Sequence, residues 1–375
     1  MLIKKVGIIG AGPAGGYLAC RLAQKGFEVL LFDDKAPWEK PCAGGLADLI
    51  WNRCPELVPL QKEGLPNRKV RIVTVKNRVF ESELSRPLYT VSRKVLGRFL
   101  IDQACGAGAR MVRAKVTGLE KTATGFVLKT SGGDSTLVDF VVGAEGFNSH
   151  VRKMFCPAWT GPDYGYTLSA IWPHETKSPL TFQFLPGLEG YSWIFPGRGA
   201  TSLGIFSRGN RFQARQLSAM WERSLEANPE FAGFKPRLGE GAASWLIPAL
   251  RFSTLRRQRV AGERWALVGD ASGAAHSVSG AGIHLALETA SALADYLIAG
   301  RPEQYQEWWR KFARAELLWP SLWGPFFYRG RMQRLLSDYL ARSASARKIV
   351  IRLISGERPG RGEIFTSLLK MLAGA

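Results

Sequence analysis

The chain opens with two short apolar runs that flank a glycine-rich stretch and a periodic segment. Val6–Ile9 is continuously apolar, as expected of a short buried strand, and Val29–Phe32 repeats the pattern. Between them, Leu18, Leu22 and Ala23 recur at helical spacing. We therefore expect a strand, a helix and a second strand within the first 33 residues.

Further along the chain, the pattern changes from strand-like to helical. Residues 160–206 are rich in glycine, proline and aromatic residues in short apolar runs, which predicts a separate sheet, and residues 302–375 are expected to be mostly helical. The other predicted elements are strands over Val70–Val75, Val112–Leu119, Gly125–Lys129 and Leu137–Val142, and helices over Lys94–Ala107, 211–227 and Ile283–Ala299.

The composition excludes several classes of protein. Hydrophobic residues make up 46% of the 375 positions, so the chain can bury a core. Twelve residues are tryptophan, whereas disordered chains are poor in aromatic residues. Five irregularly spaced cysteines argue against a secreted disulfide scaffold and favour a reducing cytosol. No stretch approaches the roughly 18 consecutive apolar residues of a membrane-spanning helix, and no signal peptide is expected.

The net charge of the chain bears on the class of partner that it can bind. The 51 basic and 31 acidic residues give a net charge of +20, which suits nucleic acid, an anionic membrane or acidic small molecules. Residues 329–361 contain nine basic and two acidic residues and follow a tryptophan-rich segment, a combination typical of membrane interfaces. We expect peripheral membrane contact through residues 301–375, with a solvated helical tail packed on the core as the alternative. No nucleic-acid-binding module is visible, so we expect no nucleic-acid partner.

A dinucleotide-binding signature lies between the first strand and the first helix. Its sequence is Gly10-Ala11-Gly12-Pro13-Ala14-Gly15. The first glycine permits a tight turn, the second lets the backbone approach a pyrophosphate, the third allows close helix packing, and the helix N-terminus offers N–H groups to phosphate. Asp33 lies 23 residues after Gly10, where its carboxylate can accept from ribose hydroxyls. This order predicts a nucleotide site, with a glycine-rich turn that binds nothing as the alternative.

Further motifs carry a resemblance to a known family. Val142–Arg152 resembles the second flavin-domain motif of p-hydroxybenzoate-hydroxylase-like flavoproteins, and Leu267–Gly273 with Ser279–Ile283 resembles the third. Within that superfamily, the chain is similar to the geranylgeranyl reductase family over roughly residues 3–300, on three more segments: Lys40–Leu46, Val91–Arg93 and Gly190–Pro196. The resemblance implies an α/β fold with a Rossmann-like FAD-binding domain of the GR2 type, an interleaved β-sheet substrate domain and a C-terminal helical segment.

The domain boundaries implied by these motifs alternate along the chain. The FAD-binding domain is expected to take residues 1–66, 93–158 and 260–300. The substrate domain is expected to take strands from 67–92 and a sheet from 159–259. A basic, aromatic helical region over 301–375 completes the expected organisation.

The resemblance also implies FAD as the cofactor and assigns residues to it. Asp270 or its adjacent backbone would contact the ribityl chain or pyrophosphate, Arg93 would donate to the phosphates or ribityl oxygens, and the backbone of Val116 would contact adenine. Gly280–Ile283 would open a helix whose N-terminus approaches the flavin O2 region. The alternatives are a helix cap for Asp270, a surface ion pair for Arg93 and an ordinary strand position for Val116. The cofactor-binding candidates are Gly10, Gly12, Pro13, Ala14, Gly15, Asp33, Cys42, Ala43, Gly44, Gly45, Arg93, Val116, Asp270, Gly280, Gly282 and Ile283.

Two segments carry the candidates for catalysis and substrate binding. In Cys42–Gly45, the glycines allow the backbone to lie flat against a planar ligand. The Cys42 thiol is the candidate catalytic group, with a small buried residue as the alternative. Tyr191, Trp193 and Phe195 alternate with period two and share one strand face. The resemblance makes that face the wall of an apolar substrate cavity, and the alternative is an ordinary sheet core.

The resemblance implies a FAD-dependent oxidoreductase that reduces isoprenoid, geranylgeranyl-type double bonds by hydride transfer from the reduced flavin. The expected substrate is an apolar isoprenoid or lipid, and NADPH or a ferredoxin-like protein is the expected transient reductant. A flavin-dependent monooxygenase or halogenase acting on an aromatic substrate is the alternative, because Trp193 and Pro196 fit the spacing of a halogenase motif. The family's usual proline and acid are also replaced here by Ser277 and Ala281, which leaves the exact reaction open.

The remaining expectations concern metals and location. The four histidines are scattered without metal-ligand spacing, so no metal site is expected. The expected location is the cytoplasm, with peripheral contact at the inner face of the membrane. The sequence leaves the oligomeric state open.

Overall fold

The computed structural model describes residues 3–372 except 210–213, 232, 236, 239–240, 356 and 358–359. The chain forms two compact units, each assembled from three segments. The first unit comprises residues 1–39, 93–164 and 246–322, and the second comprises residues 40–92, 165–245 and 323–375. Residues that are far apart in sequence therefore meet inside each unit.

Strands and helices alternate in the first part of the chain, and helices dominate after residue 283. In chain order, the strands are β1 (Lys5–Ile9), β2 (Glu28–Phe32), β3 (Gly45–Ala47), β4 (Leu65–Val73), β5 (Val79–Thr90), β6 (Arg110–Val112), β7 (Val116–Lys121), β8 (Phe126–Thr130), β9 (Ser135–Val138), β10 (Phe140–Gly143), β11 (Tyr164–Trp172), β12 (Leu180–Gln183), β13 (Gly190–Pro196), β14 (Thr201–Arg208), β15 (Arg237–Leu238), β16 (Gly241–Pro248) and β17 (Trp265–Leu267). The helices are α1 (Pro13–Ala23), α2 (Leu49–Arg53), α3 (Arg93–Gly106), α4 (His150–Phe155), α5 (Ala214–Glu226), α6 (Phe252–Arg257), α7 (Ile283–Ile298), α8 (Tyr305–Glu316), α9 (Leu318–Phe327), α10 (Gly330–Arg342), α11 (Ala344–Ile354) and α12 (Arg361–Leu372).

The first unit is built on a parallel sheet whose strands follow the order β17-β10-β1-β2-β6. β1 lies at its centre, and Val6–Ile9 is buried because strands flank β1 on both sides and α1 packs on the sheet. α1 also contacts α3 and α7. A smaller antiparallel sheet of β7, β8 and β9 belongs to the same unit. The strand–helix–strand prediction for the first 33 residues and the α/β fold class are confirmed.

Two stretches that were predicted as single strands are each divided between two sheets, so these predictions are wrong in their extent. The expected strand Val112–Leu119 is divided between β6 and β7, and Leu137–Val142 is divided between β9 and β10. Asp139 lies at the second junction, where its carboxylate accepts hydrogen bonds from the backbone N–H groups of Lys4 and Lys5 at 2.9 and 2.8 Å. Both junctions lie within β-like sequence, so pairing with distant strands decides where the chain changes sheets.

The second unit is built on a larger sheet with the strand order β15-β16-β11-β14-β13-β12-β4-β5-β3. β14 is buried along its whole length, because β11 and β13 flank it and α5 packs Leu217 and Trp221 into the same hydrophobic cluster. The separate sheet expected from residues 160–206 is present. The helix predicted over 211–227 corresponds to α5, while residues 211–213 lie outside the described residues.

The C-terminal part is helical as expected, over the residues that the structure describes. In the second unit, α10, α11 and α12 pack around a cluster that contains Tyr339, Leu340, Ala346 and Met371. Within the described ranges, no helix combines the length and the apolar composition needed to cross a bilayer.

Candidate functional site

Three glycines at the turn from β1 into α1, the last of them inside the helix, have different surroundings. Gly10 has φ +100°, and a Cβ there would lie 2.5 Å from the backbone oxygen of Ala144. A Cβ on Gly15 would lie 1.9 Å from the backbone oxygen of Gly10, so both positions require glycine. A Cβ on Gly12 would meet nothing within 4 Å. The turn therefore leaves open space at Gly12, where its backbone can approach a pyrophosphate.

The N-terminus of α1 adds hydrogen-bond donors to this turn. The helix begins at Pro13, and no side chain caps it. The first intrahelical bond found runs from the N–H of Gly16 to the oxygen of Gly12, so the N–H groups of Ala14 and Gly15 have no acceptor within the helix. These N–H groups and the positive end of the helix dipole fit a phosphate group.

Asp33 stands at the end of β2 with its carboxylate held in place. One oxygen accepts from the N–H of Ala11, and the other accepts from the N–H groups of Lys35 and Ala36, each at 2.8 Å. A carboxylate offers about four acceptor positions, so these three bonds leave room for a ribose hydroxyl. The geometry therefore fits the role expected of Asp33 while giving it a structural role in the loop as well.

Arg93 begins α3 and carries a buried donor. Its backbone N–H donates to the carboxylate of Glu39 at 2.8 Å, which fixes the start of the helix. The side-chain Nε is buried and has no hydrogen-bond partner among the described residues. A buried guanidinium N–H without an acceptor is costly, and a phosphate is a strong acceptor for it. Val116 lies buried at the start of β7, where it pairs with Thr130.

The second and third glycine motifs meet around Asp270. Gly269, just before it, has φ +60° and donates its N–H to the hydroxyl of Thr289 in α7 at 3.0 Å. The Asp270 carboxylate oxygens lie 3.3 Å from where a Cβ on Gly282 would be and 4.0 Å from that of Gly146. Glycine at both positions therefore leaves room around this carboxylate, next to the N-terminus of α7.

His276 organises the turn that leads into α7. Its Nδ1 accepts from the N–H of Ser279 at 3.1 Å, and its backbone bonds the N–H of Gly280 and the oxygen of Ala281 at 2.8 and 2.9 Å. Burial lowers the pKa of His276 to about 4, so the ring is neutral at neutral pH. In the same turn, the buried hydroxyl of Ser277 has no partner among the described residues.

In the second unit, Cys42–Gly45 forms a loop, the Cys42 loop, that is held at both ends. The hydroxyl of Ser202 donates to the Cys42 oxygen at 3.0 Å, and the indole N–H of Trp193 donates to that hydroxyl at 3.1 Å. The N–H of Gly44 reaches the Cys42 sulfur at 3.4 Å. Gly44 has φ +71° and bonds the N–H of Val91, whose oxygen would lie 2.4 Å from a Cβ on Gly44. Ser202 of β14 therefore holds the loop at the Cys42 end, and Val91, just after β5, holds it at Gly44.

The aromatic face of β13 packs against glycines of neighbouring segments. A Cβ on Gly204 would lie 2.2 Å from the Trp193 ring, and one on Gly45 would lie 3.0 Å from the Phe195 ring. Both aromatic side chains are buried, with 4% of their surface exposed. This close packing supports the sheet-core alternative for Trp193 and Phe195, and their contact with substrate stays a prediction.

Tyr191 is the third aromatic residue of that face and is only partly buried by surface area. Its ring packs against those of Phe182 and Phe206, at centroid distances of 5.6 and 5.8 Å. Burial raises the pKa of the Tyr191 phenol, and the neighbouring Cys42 thiol raises it further. The phenol therefore stays protonated at neutral pH and lies close to the Cys42 loop.

Sequence reasoning did not find Ser202 or Glu39 as parts of these sites. Ser202 lies 160 residues from Cys42 in sequence, and no local spacing connects the two. Glu39 meets Arg93 across 54 residues. The described residues also contain no group of three or more histidine, cysteine, aspartate or glutamate side chains that could hold a metal ion.

Comparisons with known proteins agree with the nucleotide-binding geometry. A family model described as FAD-NAD(P)-binding matches residues 7–148. A digeranylgeranylglycerophospholipid reductase of Methanothermobacter thermautotrophicus is 27% identical over 337 residues, which cover 81% of this chain and 82% of that protein. The chloroplastic geranylgeranyl diphosphate reductase of Oryza sativa subsp. japonica is 27% identical over 79% of this chain and 66% of its own length.

Two further similarities bear on the chemistry and the fold. A ubiquinone hydroxylase of Rhodospirillum rubrum is 27% identical over 80% of this chain and 73% of its own length. The crystal structure of a geranylgeranyl bacteriochlorophyll reductase-like protein from Thermoplasma acidophilum is similar in fold, with a TM-score of 0.79 at 18% identity over 98% of both chains. On these similarities and on the geometry of its first unit, the chain is an oxidoreductase of the FAD-binding type that is similar to the geranylgeranyl reductases.

Proposed function

We propose that this protein uses FAD to reduce carbon–carbon double bonds of an isoprenoid or lipid substrate, with NADPH or a ferredoxin-like protein as the transient reductant. The main support for this proposal is that about four-fifths of the chain is similar to two reductases of geranylgeranyl compounds. The first unit supplies the matching cofactor geometry, because Gly12 leaves open space beside a helix N-terminus and Arg93 presents a buried donor without a partner among the described residues.

Several cofactor-binding candidates of the first unit have roles that their geometry supports. The N–H groups at Ala14 and Gly15 and the Arg93 guanidinium hold the pyrophosphate, and the Asp33 carboxylate accepts from ribose. Asp270, beside the N-terminus of α7, orients the ribityl chain. When bound, the flavin supplies the hydride, and the protein supplies binding, orientation and exclusion of water.

The second unit supplies groups that can hold or move a proton. Reduction of a double bond consumes one hydride and one proton, so an acid is required beside the substrate. The Tyr191 hydroxyl remains protonated at neutral pH, and the Cys42 thiol lies close to it. We assign the proton to this pair, with the Cys42 loop positioning the thiol. The apolar rings around Tyr191 suit an isoprenoid chain.

The test is anaerobic turnover of the FAD-loaded protein with a chemical reductant. A geranylgeranyl lipid should gain two hydrogen atoms for each double bond reduced, as measured by mass spectrometry. Protein without FAD and lipid without protein are the controls. Substrate recovered unchanged from fully reduced, folded holoprotein would contradict the proposal.

A flavin-dependent monooxygenase or halogenase acting on an aromatic substrate is the second candidate. The similarity to a ubiquinone hydroxylase, at the same 27% identity as the two reductases, favours it. The two reactions differ in their use of oxygen. NADPH oxidation that rises with an aromatic substrate under air, together with a hydroxylated or halogenated product, would support this candidate over the reductase.

The C-terminal helices suggest where an apolar substrate can be collected. Phe365, Leu369 and Leu372 are more than half exposed and share one face of α12, with Lys370 beside them, while Met371 on the opposite face packs into the cluster. An exposed apolar stripe with a lysine beside it suits an anionic membrane surface.

A second exposed aromatic group lies in α9, where Trp319, Trp323 and Phe326 have 41–50% of their surface exposed. We propose that the protein lies in the cytoplasm and that residues 301–375 provide peripheral contact with the inner face of the membrane, which the exposed side chains of α9 and α12 support.

A further inference from the structure

We propose that Ser202 is a positioning residue, whose hydroxyl fixes the Cys42 loop and thereby the direction of the Cys42 thiol, with Trp193 acting through it. Only the effect of this positioning on catalysis rests on the proposed function. The positioning itself concerns side chains of the second unit and can be measured without turnover.

The direction of the hydrogen bonds follows from the chemistry of the groups. An indole N–H can only donate, so Trp193 occupies an acceptor position of the Ser202 oxygen at 3.1 Å. A carbonyl can only accept, so the Ser202 proton must point to the Cys42 oxygen at 3.0 Å. The three groups therefore form one chain of donors that ends on the Cys42 peptide, and the serine hydroxyl has no competing orientation within it.

Burial makes this chain stiff. Ser202 and Trp193 are 6% and 4% exposed, so water does not compete freely for their polar atoms. Gly204 lacks the Cβ that would lie 2.2 Å from the Trp193 ring, which lets the indole lie on β14 and reach Ser202 from β13. Trp193 thus has a role in orienting a hydrogen bond, in addition to any contact of its ring with substrate.

The opposite end of the Cys42 loop is fixed independently. Gly44 is tied to Val91 by a backbone hydrogen bond of 3.0 Å, and Gly45 begins β3, paired with Thr90. Between these anchors, the Cys42 carbonyl is the group that Ser202 restrains. Loss of the serine hydroxyl should therefore loosen the Cys42 side of the loop while β3 remains in place.

The readout is the rate at which iodoacetamide alkylates Cys42 in the FAD-loaded protein, followed by peptide mass spectrometry. Cys42 is partly buried, and the exposed Cys105 serves as the internal standard. Ser202→Ala should raise the Cys42 rate by about fivefold to tenfold, the equilibrium effect of one ordinary hydrogen bond, with the Cys105 rate unchanged. Ser202→Thr keeps the hydroxyl and should return the rate to within about twofold of the unsubstituted protein.

The matched control is Ser207→Ala, in the same strand. Ser207 is as buried as Ser202, but its hydroxyl has no hydrogen-bond partner among the described residues, so its removal should leave Cys42 unchanged. Trp193→Phe keeps a ring and removes the indole N–H, and its effect should vanish in the Ser202→Ala background because Trp193 acts through Ser202.

The outcomes separate the positioning role from the proposed function. Equal Cys42 rates in folded, FAD-loaded Ser202→Ala and unsubstituted protein would overturn the inference, as would a Trp193→Phe effect that adds fully to that of Ser202→Ala. If Ser202→Ala does not fold, Trp193→Phe and Ser202→Thr still test the inference. Only Trp193→Phe should raise the alkylation rate of Cys42, and equal rates in the two variants would contradict it. Altered alkylation without any lipid reduction would uphold the positioning and reject the function.

Discussion

At the scale of single residues, Gly10, Gly12 and Gly15 show that one motif combines separate physical requirements. Gly10 and Gly15 are glycine because the backbone of the protein itself fills the space that a side chain would need. Gly12 has an ordinary φ of −71°, and no atom of the described residues lies within 4 Å of where its Cβ would be, so none of them requires glycine there. Folding and cofactor binding should therefore respond differently to the same substitution at neighbouring positions.

Gly12→Ala should fold with an unchanged melting temperature and bind FAD about tenfold to a hundredfold more weakly, because the new methyl group displaces the pyrophosphate from the N–H donors. Gly15→Ala should lower the free energy of unfolding by about 1–3 kcal/mol or more through the clash with Gly10. Thermal denaturation of the FAD-free proteins and flavin fluorescence titration measure the two effects. A loss of stability in Gly12→Ala equal to that in Gly15→Ala would contradict this division.

Arg93 carries a buried donor without a partner among the described residues, which indicates an anion at the start of α3. Arg93→Met keeps much of the side-chain volume and should weaken FAD binding by about 1.5–3 kcal/mol, the value of a hydrogen bond to a charged group. Arg98→Met, at an exposed position of the same helix, is the matched control and should bind FAD normally. Equal affinities of the two variants in calorimetric titration would remove Arg93 from the cofactor site.

His276 should make stability depend on pH. Because burial lowers its pKa to about 4 from the usual value near 6.5, the unfolded chain takes up a proton between these pH values and the folded chain does not. The free energy of unfolding should therefore fall as the pH drops from about 6.5 to 4, by on the order of 2 kcal/mol. Urea denaturation at pH 7 and pH 4.5 should show a weaker dependence in His276→Gln, and His174→Gln, at an exposed position, should behave like the unsubstituted protein.

At the scale of elements, the sequence predicts what local periodicity determines and misses what distant pairing determines. β1, α1 and β2 follow from apolar runs and a helical repeat within 33 residues, and α3 and α7 begin within one residue of their predicted starts. The breaks between β6 and β7 and between β9 and β10 depend on partners elsewhere in the chain. The anchoring of the Cys42 loop by Ser202 escaped prediction for the same reason, since 160 residues separate them.

Substitution of Asp139 tests whether its hydrogen bonds stabilise the junction at which the chain passes from the sheet of β9 to the sheet of β10. Its carboxylate accepts from two backbone N–H groups at the start of the chain. Asp139→Ala should lower the free energy of unfolding by about 1–3 kcal/mol, because those donors lose a charged acceptor. Asp134→Ala, at an exposed turn of the neighbouring hairpin, is the control for urea denaturation. Equal stabilities of the two variants would show that strand pairing alone fixes the junction.

At the scale of the whole molecule, the charge of +20 acquires a specific meaning only through the positions of apolar residues. Spread charge of one sign brings a protein near many anionic partners without selecting one. An exposed apolar stripe on α12, beside Lys370, favours a lipid surface over nucleic acid, because acyl chains accept Phe and Leu side chains and phosphates in water do not. A protein that acts on a lipid substrate can use such a helix to contact the membrane that contains the lipid, so the two proposals form one membrane hypothesis.

The double variant Phe365→Ser/Leu369→Ser tests the membrane hypothesis. The unsubstituted holoprotein should sediment with vesicles containing anionic lipid, and less at high salt, because basic residues attract the headgroups while the stripe enters the interface. The variant should bind about tenfold or more weakly, since each half-exposed side chain contributes about 1 kcal/mol on burial. Leu137→Ser, also 50% exposed but on β9, is the matched control and should bind normally. Equal binding by the double variant and the unsubstituted protein would show that the membrane contact does not involve α12. If the unsubstituted protein fails to bind anionic vesicles even at low salt, the membrane hypothesis is wrong.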